Sequence, residues 1–210
     1  QRHVRSLRNV RILEYTEMTD IMTVGSGCAG IRACTAGGEV LCIHASDTVM
    51  ATGGIGGLYE HSTNFPSLTG DAIRIAGKHG LRLEHLDYVQ IHPTSLYSEK
   101  PGRSFLISES ARGEGAVLLN GKGERFVDEL LPRDVVSEAI EMQMKKEGSR
   151  HVWLSFAAIP EETIKKHFPH ILEHCLEEGY DICREPIPVV PAQHYFMGGI
   201  YVNTDSETTM

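Results

Sequence analysis

Phe105-Leu106-Ile107-Ser108-Glu109-Ser110-Ala111-Arg112-Gly113-Glu114-Gly115-Ala116 is the stretch on which the reading of this chain turns. An apolar triplet runs straight into a dense polar block holding Ser108, Glu109, Arg112 and Glu114. Glu109 and Arg112 are three apart, so one helical turn sets them on one face. Alone, the block reads equally well as a solvated turn with a surface ion pair of little energetic weight. Its company argues for more. Gln90-Ile91-His92-Pro93-Thr94 precedes it, Leu131-Pro132-Arg133-Asp134 follows it, and His194-Tyr195 comes later. Together they supply two imidazoles, two guanidiniums, a carboxylate and hydroxyls, a set suited to a small dicarboxylate and a proton path.

Composition bounds the rest. A chain of 210 residues can bury a sizeable core in one or two domains. Apolar content of 41% and charged content of 23% are those of a globular protein. A net charge of −8 argues against a broad nucleic-acid footprint and against a polybasic membrane surface, while leaving room for a locally basic cleft. Five cysteines, an odd number with no Cys-x-x-Cys pair, argue against a disulfide framework and for a reducing, cytoplasmic setting. No apolar run approaches the roughly 20 residues that span a bilayer. The N-terminus has no signal-peptide character and no initiator methionine, so the expectation is an internal piece of a longer protein.

Taken in order, Val10–Leu13 and Ile21–Val24 read as two extended segments. Gly25-Ser26-Gly27-Cys28-Ala29-Gly30 spells a dinucleotide fingerprint, with Asp47 downstream, but its context fails. The following residues include Gly30, Thr35, Gly37 and Gly38, which form helix poorly, and the spacing is too short for a βαβ unit. A glycine-rich hairpin turn is the better reading. Glu39–Met50 reads as strand and ends in Ala51-Thr52-Gly53-Gly54-Ile55-Gly56-Gly57, where glycines permit a sharp turn or a close approach to a ligand. Thr69 is a candidate N-cap for a short helix from Ala72 to Lys78, with Asp71 in its first turn. Arg82–His92 reads as a strand feeding a His92-Pro93-Thr94 turn.

Val117–Leu119 and Arg125–Val127 read as a hairpin about Asn120–Gly123. A helix opens at Leu131-Pro132-Arg133-Asp134 and runs to about Lys146, with Val135, Val136, Ala139, Ile140 and Met144 as its apolar stripe. Arg133 precedes that stripe, so packing does not account for it. Val152–Leu154 reads as a strand, Pro160 as a helix start, and Pro169–Glu178 as a helix closed by Gly179. His167, His170, His174 and Cys175 suggest zinc, but Pro169 interrupts the set and no His-Glu-x-x-His motif is present; no metal is expected. Pro186, Pro188 and Pro191 read as an extended linker delivering Gln193-His194-Tyr195.

These blocks, in this order, resemble the succinate dehydrogenase and fumarate reductase flavoprotein family. The matching segments are 51–57, 69–71, 90–94, 103–116, 131–136 and 186–202, so the resemblance covers nearly the whole chain. Residues 103–116 and 187–195 resemble the aspartate-oxidising branch in particular. The fold class implied is α/β plus α+β: part of an FAD-binding, Rossmann-like flavoprotein domain with an inserted α+β cap domain. Residues 1–92 would belong to the FAD-binding domain, 93–191 to the cap, and 192–210 to the return into the first domain.

The resemblance also implies roles. FAD would take a hydride from L-aspartate, giving iminoaspartate, with oxygen or fumarate as acceptor, in nicotinamide cofactor biosynthesis. His92, His194 and Ser108 would bind the substrate carboxylates. Arg133 would donate or accept the proton, with Glu109 and Arg112 as its relay. Asp71 would contact the flavin, near Thr52, Gly53, Gly54, Gly56 and Gly57. Ser108 stands where many relatives have threonine. The family's N-terminal motif for the ADP half of the flavin and its C-terminal arginine segment are not in this chain, so the isolated piece is expected to lack turnover. A succinate- or fumarate-type flavoenzyme and a non-catalytic fragment are the competing readings.

Overall fold

The computed structural model describes residues 2–210. In chain order run α1 (Arg2–Ser6), β1 (Thr16–Val24), β2 (Gly27–Thr35), β3 (Val40–His44), α2 (Asp71–Lys78), β4 (Leu83–Glu84), β5 (Val89–Leu96), α3 (Glu109–Gly113), β6 (Val117–Leu119), α4 (Arg133–Glu147), β7 (Val152–Ser155), α5 (Glu161–His167), α6 (Pro169–Glu177), β8 (Ile187–Phe196) and β9 (Gly199–Ile200). They gather into two compact units. One holds the residues up to Gly53 with 70–84 and 199–210; the other holds 54–69 and 85–198. Among the described residues no helix is long and apolar enough to cross a membrane.

The first unit is built on the antiparallel meander β1-β2-β3. Val24 pairs with Gly27, so Gly25 and Ser26 form the two-residue hairpin turn expected of the false fingerprint. Gly25 takes φ +62°, the sign a tight hairpin loop demands at its first position. Gly30 serves sheet packing: its φ is +128°, and a Cβ there would lie 2.0 Å from the Ile43 carbonyl oxygen on β3. The expected strand at Val10–Leu13 is absent; a single longer strand begins at Thr16. β3 stops at His44, leaving Val49 and Met50 outside the sheet.

Helix α2 turns Ala72, Ile75 and Ala76 inward. Its N-cap is Gly70, in a left-handed conformation, rather than Thr69; that extra turn puts the threonine one position too early for capping. Asp71 lies in the first turn, where the helix dipole favours a carboxylate, 3.5 Å from Arg74. Lys78 and His79 close the helix on Asp20 of β1 and hold that carboxyl well below its usual range. The expected strand Arg82–His92 is broken. Leu83–Glu84 pairs with β9, His85 adopts φ +51°, and β5 begins only at Val89.

The second unit is a four-stranded antiparallel sheet in the order β5-β8-β7-β6. The proline-rich segment read as a linker is its central strand, β8, and the His92-Pro93-Thr94 turn is strand β5. Proline lacks the donor a sheet ladder needs, so it survives in strands mainly at bulges and edges. Pro93 and Pro191 both fall in one unpaired interval, between the pairs His92–Ala192 and Ser95–Val190. The outer edge of β5 is closed by residues 105–107, through Leu96 N–H to Phe105 O (2.8 Å) and Ile107 N–H to Thr94 O (3.1 Å).

The expected hairpin reduces to the single bridge Leu119–Arg125. Asn120 Oδ1 accepts the N–H groups of Lys122 and Glu124, each at 2.9 Å, which tightens the turn, and β6 pairs with β7 instead. Helix α4 buries Val136, Ile140 and Gln143, spaced four and three apart along one face. Val135, one residue out of phase, is exposed. Leu118, Ile140, Leu154 and Ile187 are fully buried in the core, each stabilising the unit by about 1.5–3 kcal/mol.

Gly30→Ala should cost about 2–4 kcal/mol, since overpacking and left-handed strain combine, whereas Gly27→Ala, whose Cβ would meet nothing closer than 3.9 Å, should change stability by under about 1 kcal/mol. Urea unfolding of both variants checks the assignment of this motif to the sheet; equal losses would overturn it.

Candidate active site

The site is assembled on β5 and β8, and two β-bulges decide its shape. Gln90 pairs with Tyr195 and Ile91 with Gln193, so His194 is an extra residue on β8. One pair further along, Pro93 and Thr94 stand against the lone Pro191, so β5 carries the extra residue just after His92. Bulges re-aim side chains and increase local twist. Here the rings of His92 and His194 meet edge to face with centroids 5.4 Å apart.

Each imidazole is pinned. His92 is buried, and its Nδ1 accepts the Thr94 N–H at 3.2 Å, so in the neutral ring Nε2 carries the proton. Burial first, then the charges of Arg133 and Arg112 and the neighbouring His194, push its pKa down to about 3. Burial, with Arg133 beside it, also lowers His194. His194 Nδ1 lies 2.8 Å from Thr63 Oγ1, and Asn64 Nδ2 donates to the His194 carbonyl at 2.8 Å.

Arg133, the first residue of α4, is half-buried. It donates from Nε to Glu109 Oε2 at 2.8 Å, from Nη2 to the same oxygen, and from Nη1 to Gln90 Oε1 at 2.7 Å. The bond from Arg133 holds Glu109 below the usual carboxylate range. Arg112, on the short helix α3, is only 3% exposed. Its Nη1 donates to the Glu129 carbonyl at 2.5 Å, while Nε and Nη2 have no partner. Burial, then the like charge of Arg133, lowers its pKa against the opposing pull of Glu109 and Glu129. Ser108 caps α3: its Oγ accepts from Ser110 N–H and lies 2.6 Å from Ser110 Oγ. Of the expected relay, the Arg133–Glu109 link is hydrogen-bonded, while Glu109 and Arg112 interact through their charges without a hydrogen bond.

Thus His92, Ser108, Glu109, Arg112, Arg133 and His194 all belong to the second unit, on β5, α3, α4, β8 and the turn capping α3. Gln90, Thr63 and Glu129 were not singled out from sequence. Gln90 was legible: two residues before His92 on one strand, it projects to the same side. Thr63 and Glu129 carry no local signal. The four zinc candidates go to different surroundings. His167 pairs with Glu114, His174 stacks on Phe105 at 3.8 Å, His170 is exposed, and Cys175 is buried with its thiol pushed up to about 12. Among the described residues no cluster of metal-ligating side chains forms.

The sequence profile described as FAD binding domain matches residues 1–210, the entire chain. The chain belongs to the FAD binding domain family. It is 49% identical over 209 residues to an L-aspartate oxidase of Clostridium perfringens, covering 99% of this chain and 47% of that protein. It is 44% identical over 208 residues to an L-aspartate oxidase of Clostridium acetobutylicum, covering 99% and 48%. The chain therefore spans about half the length of the curated relatives it matches. Among solved structures, a quinol-fumarate reductase with menaquinol superposes with a TM-score of 0.79 at 33% identity, over 92% of this chain and 37% of that one. A flavocytochrome c3 fumarate reductase in an open conformation shares the fold, with a TM-score of 0.63 at 24% identity over 90% and 42%. The resemblance to these flavoproteins and the FAD cofactor it implied are borne out, as is a fold of mixed helix and sheet.

Within this FAD binding domain the glycine segment has two parts. Ala51–Gly53 is exposed and irregular, with Gly53 at φ +73°. Gly54, Gly56 and Gly57 answer to protein neighbours. A Cβ on Gly56 would lie 2.5 Å from Asn64 Cβ and 2.7 Å from Gln193 Oε1, and one on Gly57 2.1 Å from the Pro66 carbonyl oxygen.

The depressed His92 pKa has a signed consequence. Between about pH 6.5 and about pH 3 the unfolded chain binds a proton that the folded chain refuses, so stability falls as pH falls through that window. His92→Asn should remove this contribution, worth up to about 2 kcal/mol between pH 7 and pH 5. Thermal unfolding of both proteins from pH 7 to pH 5 measures it. Parallel curves would show that His92 is not held neutral by the fold.

Proposed function

We propose that the protein of which this chain is part is an FAD-dependent L-aspartate oxidase, producing iminoaspartate with oxygen or fumarate as the final acceptor. The observation that carries the reading is Arg133, fixed by Glu109 and Gln90 beside two imidazoles and a buried, part-unpaired guanidinium. Two cations against one carboxylate leave a surplus of positive charge, which a dicarboxylate neutralises. The names of its relatives, L-aspartate oxidases, favour aspartate as the substrate in this reading.

In this reading His92 donates from Nε2 to a substrate carboxylate, because Nδ1 is already occupied. His194, oriented by Thr63, and the Ser108 hydroxyl hold the same region of the substrate. Bound FAD would supply the hydride acceptor. Arg133 gives a guanidinium proton to Glu109, with which it already shares hydrogen bonds, and the neutral guanidine so formed takes the proton the substrate releases. A guanidinium has a pKa above about 12 and gives up its proton reluctantly in water, so this role requires a cleft closed against solvent. We propose residues 93–191 as the cap and 1–92 with 192–210 as the flavin domain, with Asp71, Thr52 and Gly53 toward the flavin; the two compact units divide the chain differently, 54–69 and 85–198 against the remainder.

The fumarate reductases among the structural neighbours support a second reading, a succinate- or fumarate-specific enzyme. In the full-length, flavin-loaded protein, anaerobic L-aspartate should bleach the flavin and succinate should not; the reverse result replaces the first reading with the second. Arg133→Leu should slow that reduction by about 10²–10⁴-fold, the usual weight of a positioned acid–base group, with flavin content unchanged. Undiminished reduction would remove Arg133 from the chemistry.

A further inference from the structure

Glu129 lies outside every motif that marks the site, yet it is 3% exposed and sits between two arginines. Its carboxylate accepts the Leu118 N–H through Oε1 at 2.7 Å. Through Oε2 it accepts Arg125 Nε at 3.0 Å and Arg125 Nη2 at 2.5 Å. Its own carbonyl takes Arg112 Nη1 at 2.5 Å. A buried carboxylate left unpaired is strongly destabilising, and so is a buried guanidinium. One residue here answers both problems: the side chain is clamped by β6 and Arg125, and the clamp sets where the carbonyl stands for Arg112. Arg125 is more than half exposed, so the far end of this chain of contacts reaches solvent.

We propose that Glu129 is a positioning residue for Arg112, locked in place by Arg125, and that this arrangement leaves Arg112 Nε and Nη2 free to act in the site. The inference rests on the function proposed above. The charged groups acting on Arg112 are Glu109 from α3, Arg133 from α4 and Glu129 itself, and Arg112 acts in turn on His92 from β5. Removing the negative charge of Glu129 weakens the hold on Arg112 and draws its titration to lower pH. Removing the positive charge of Arg125 leaves Glu129 uncompensated and draws that titration to higher pH. A role in folding alone would lower the folded fraction and leave the kcat of the folded enzyme unchanged.

The test uses the full-length, flavin-loaded protein with Glu129→Gln, Glu129→Asp and Arg125→Gln, comparing the rate of anaerobic flavin reduction by L-aspartate across pH. Glu129→Gln should lower kcat by about 10- to 100-fold, the weight of a misplaced catalytic group, with KM changed by less than about threefold. Its pH profile should move to lower pH and that of Arg125→Gln to higher pH, while Glu129→Asp, which keeps the charge, should retain the wild-type limbs. Profiles that stay in place, or losses that merely follow the fraction of folded flavoprotein, would overturn the proposal. Should the wild-type protein oxidise succinate and not aspartate, the proposed activity fails, and the same comparison run with succinate still decides the role of Glu129. If it oxidises neither, the pH dependence of malonate binding, read from flavin absorbance, gives the same opposed shifts or refutes them.

Discussion

The β5–β8 pairing is the constraint on which the candidate site depends. It brings Gln90 and His92 to one strand and His194 to the other, and its two bulges let both rings meet. The rest is attached to this pair. Residues 61–64 fasten β8 at Gln193 and His194, through Thr63 N–H to Gln193 O and Gln193 N–H to His61 O, each at 2.9 Å. Gly56 is small because that fastening leaves no space for a Cβ. On the other side, residues 105–107 line the edge of β5 and start α3 where Glu109 reaches Arg133. Helix α4 lies against β5 with Arg133 at its first turn.

The electrostatics of the site run against folding. Two guanidiniums act on His92 and one of them, Arg133, also on His194; the other, Arg112, is buried with two nitrogen atoms unpaired. An arrangement of this kind lowers stability in the empty protein and survives when the surrounding core supplies the margin. That margin is visible in the fully buried cluster around Leu118, Ile140, Leu154 and Ile187. The neutrality of His92 belongs to the same balance. In a region already crowded with positive charge, a ring that donates a hydrogen bond without adding a proton binds an anion at less cost.

Much of this was legible in the sequence. Helix α4 followed from its spacing and α6 from its proline start and Gly179, and the false fingerprint was separable from a true one by the glycines that follow it. The candidate side chains were legible as types because charged residues inside apolar context stand out. What failed was long-range. Pro186–Val190 looks like a linker because proline opposes sheet structure locally, and only pairing with β5 and β7 overrides that preference. His92-Pro93-Thr94 looks like a turn for the same reason. Val135 looks like core because its residue type carries no record of helical phase. Glu129 was invisible, since its importance lies in a carbonyl and a clamp formed at a distance.

The two prolines that share the unpaired interval of β5 and β8 have a consequence for how this family can vary. A ladder shifted by one residue would set Pro93 or Pro191 against a carbonyl waiting for a donor, and would turn every side chain of that strand to the opposite face. The prolines therefore act as a register key, allowing one alignment and penalising its neighbours. Insertions and deletions should be scarce between residues 89 and 96 and between 187 and 196. They should gather instead in turns such as Asn120–Gly123, whose lengthening moves nothing that the two histidines rely on. The alignment of these two strands is thus fixed by backbone chemistry as well as by the side chains that face the core.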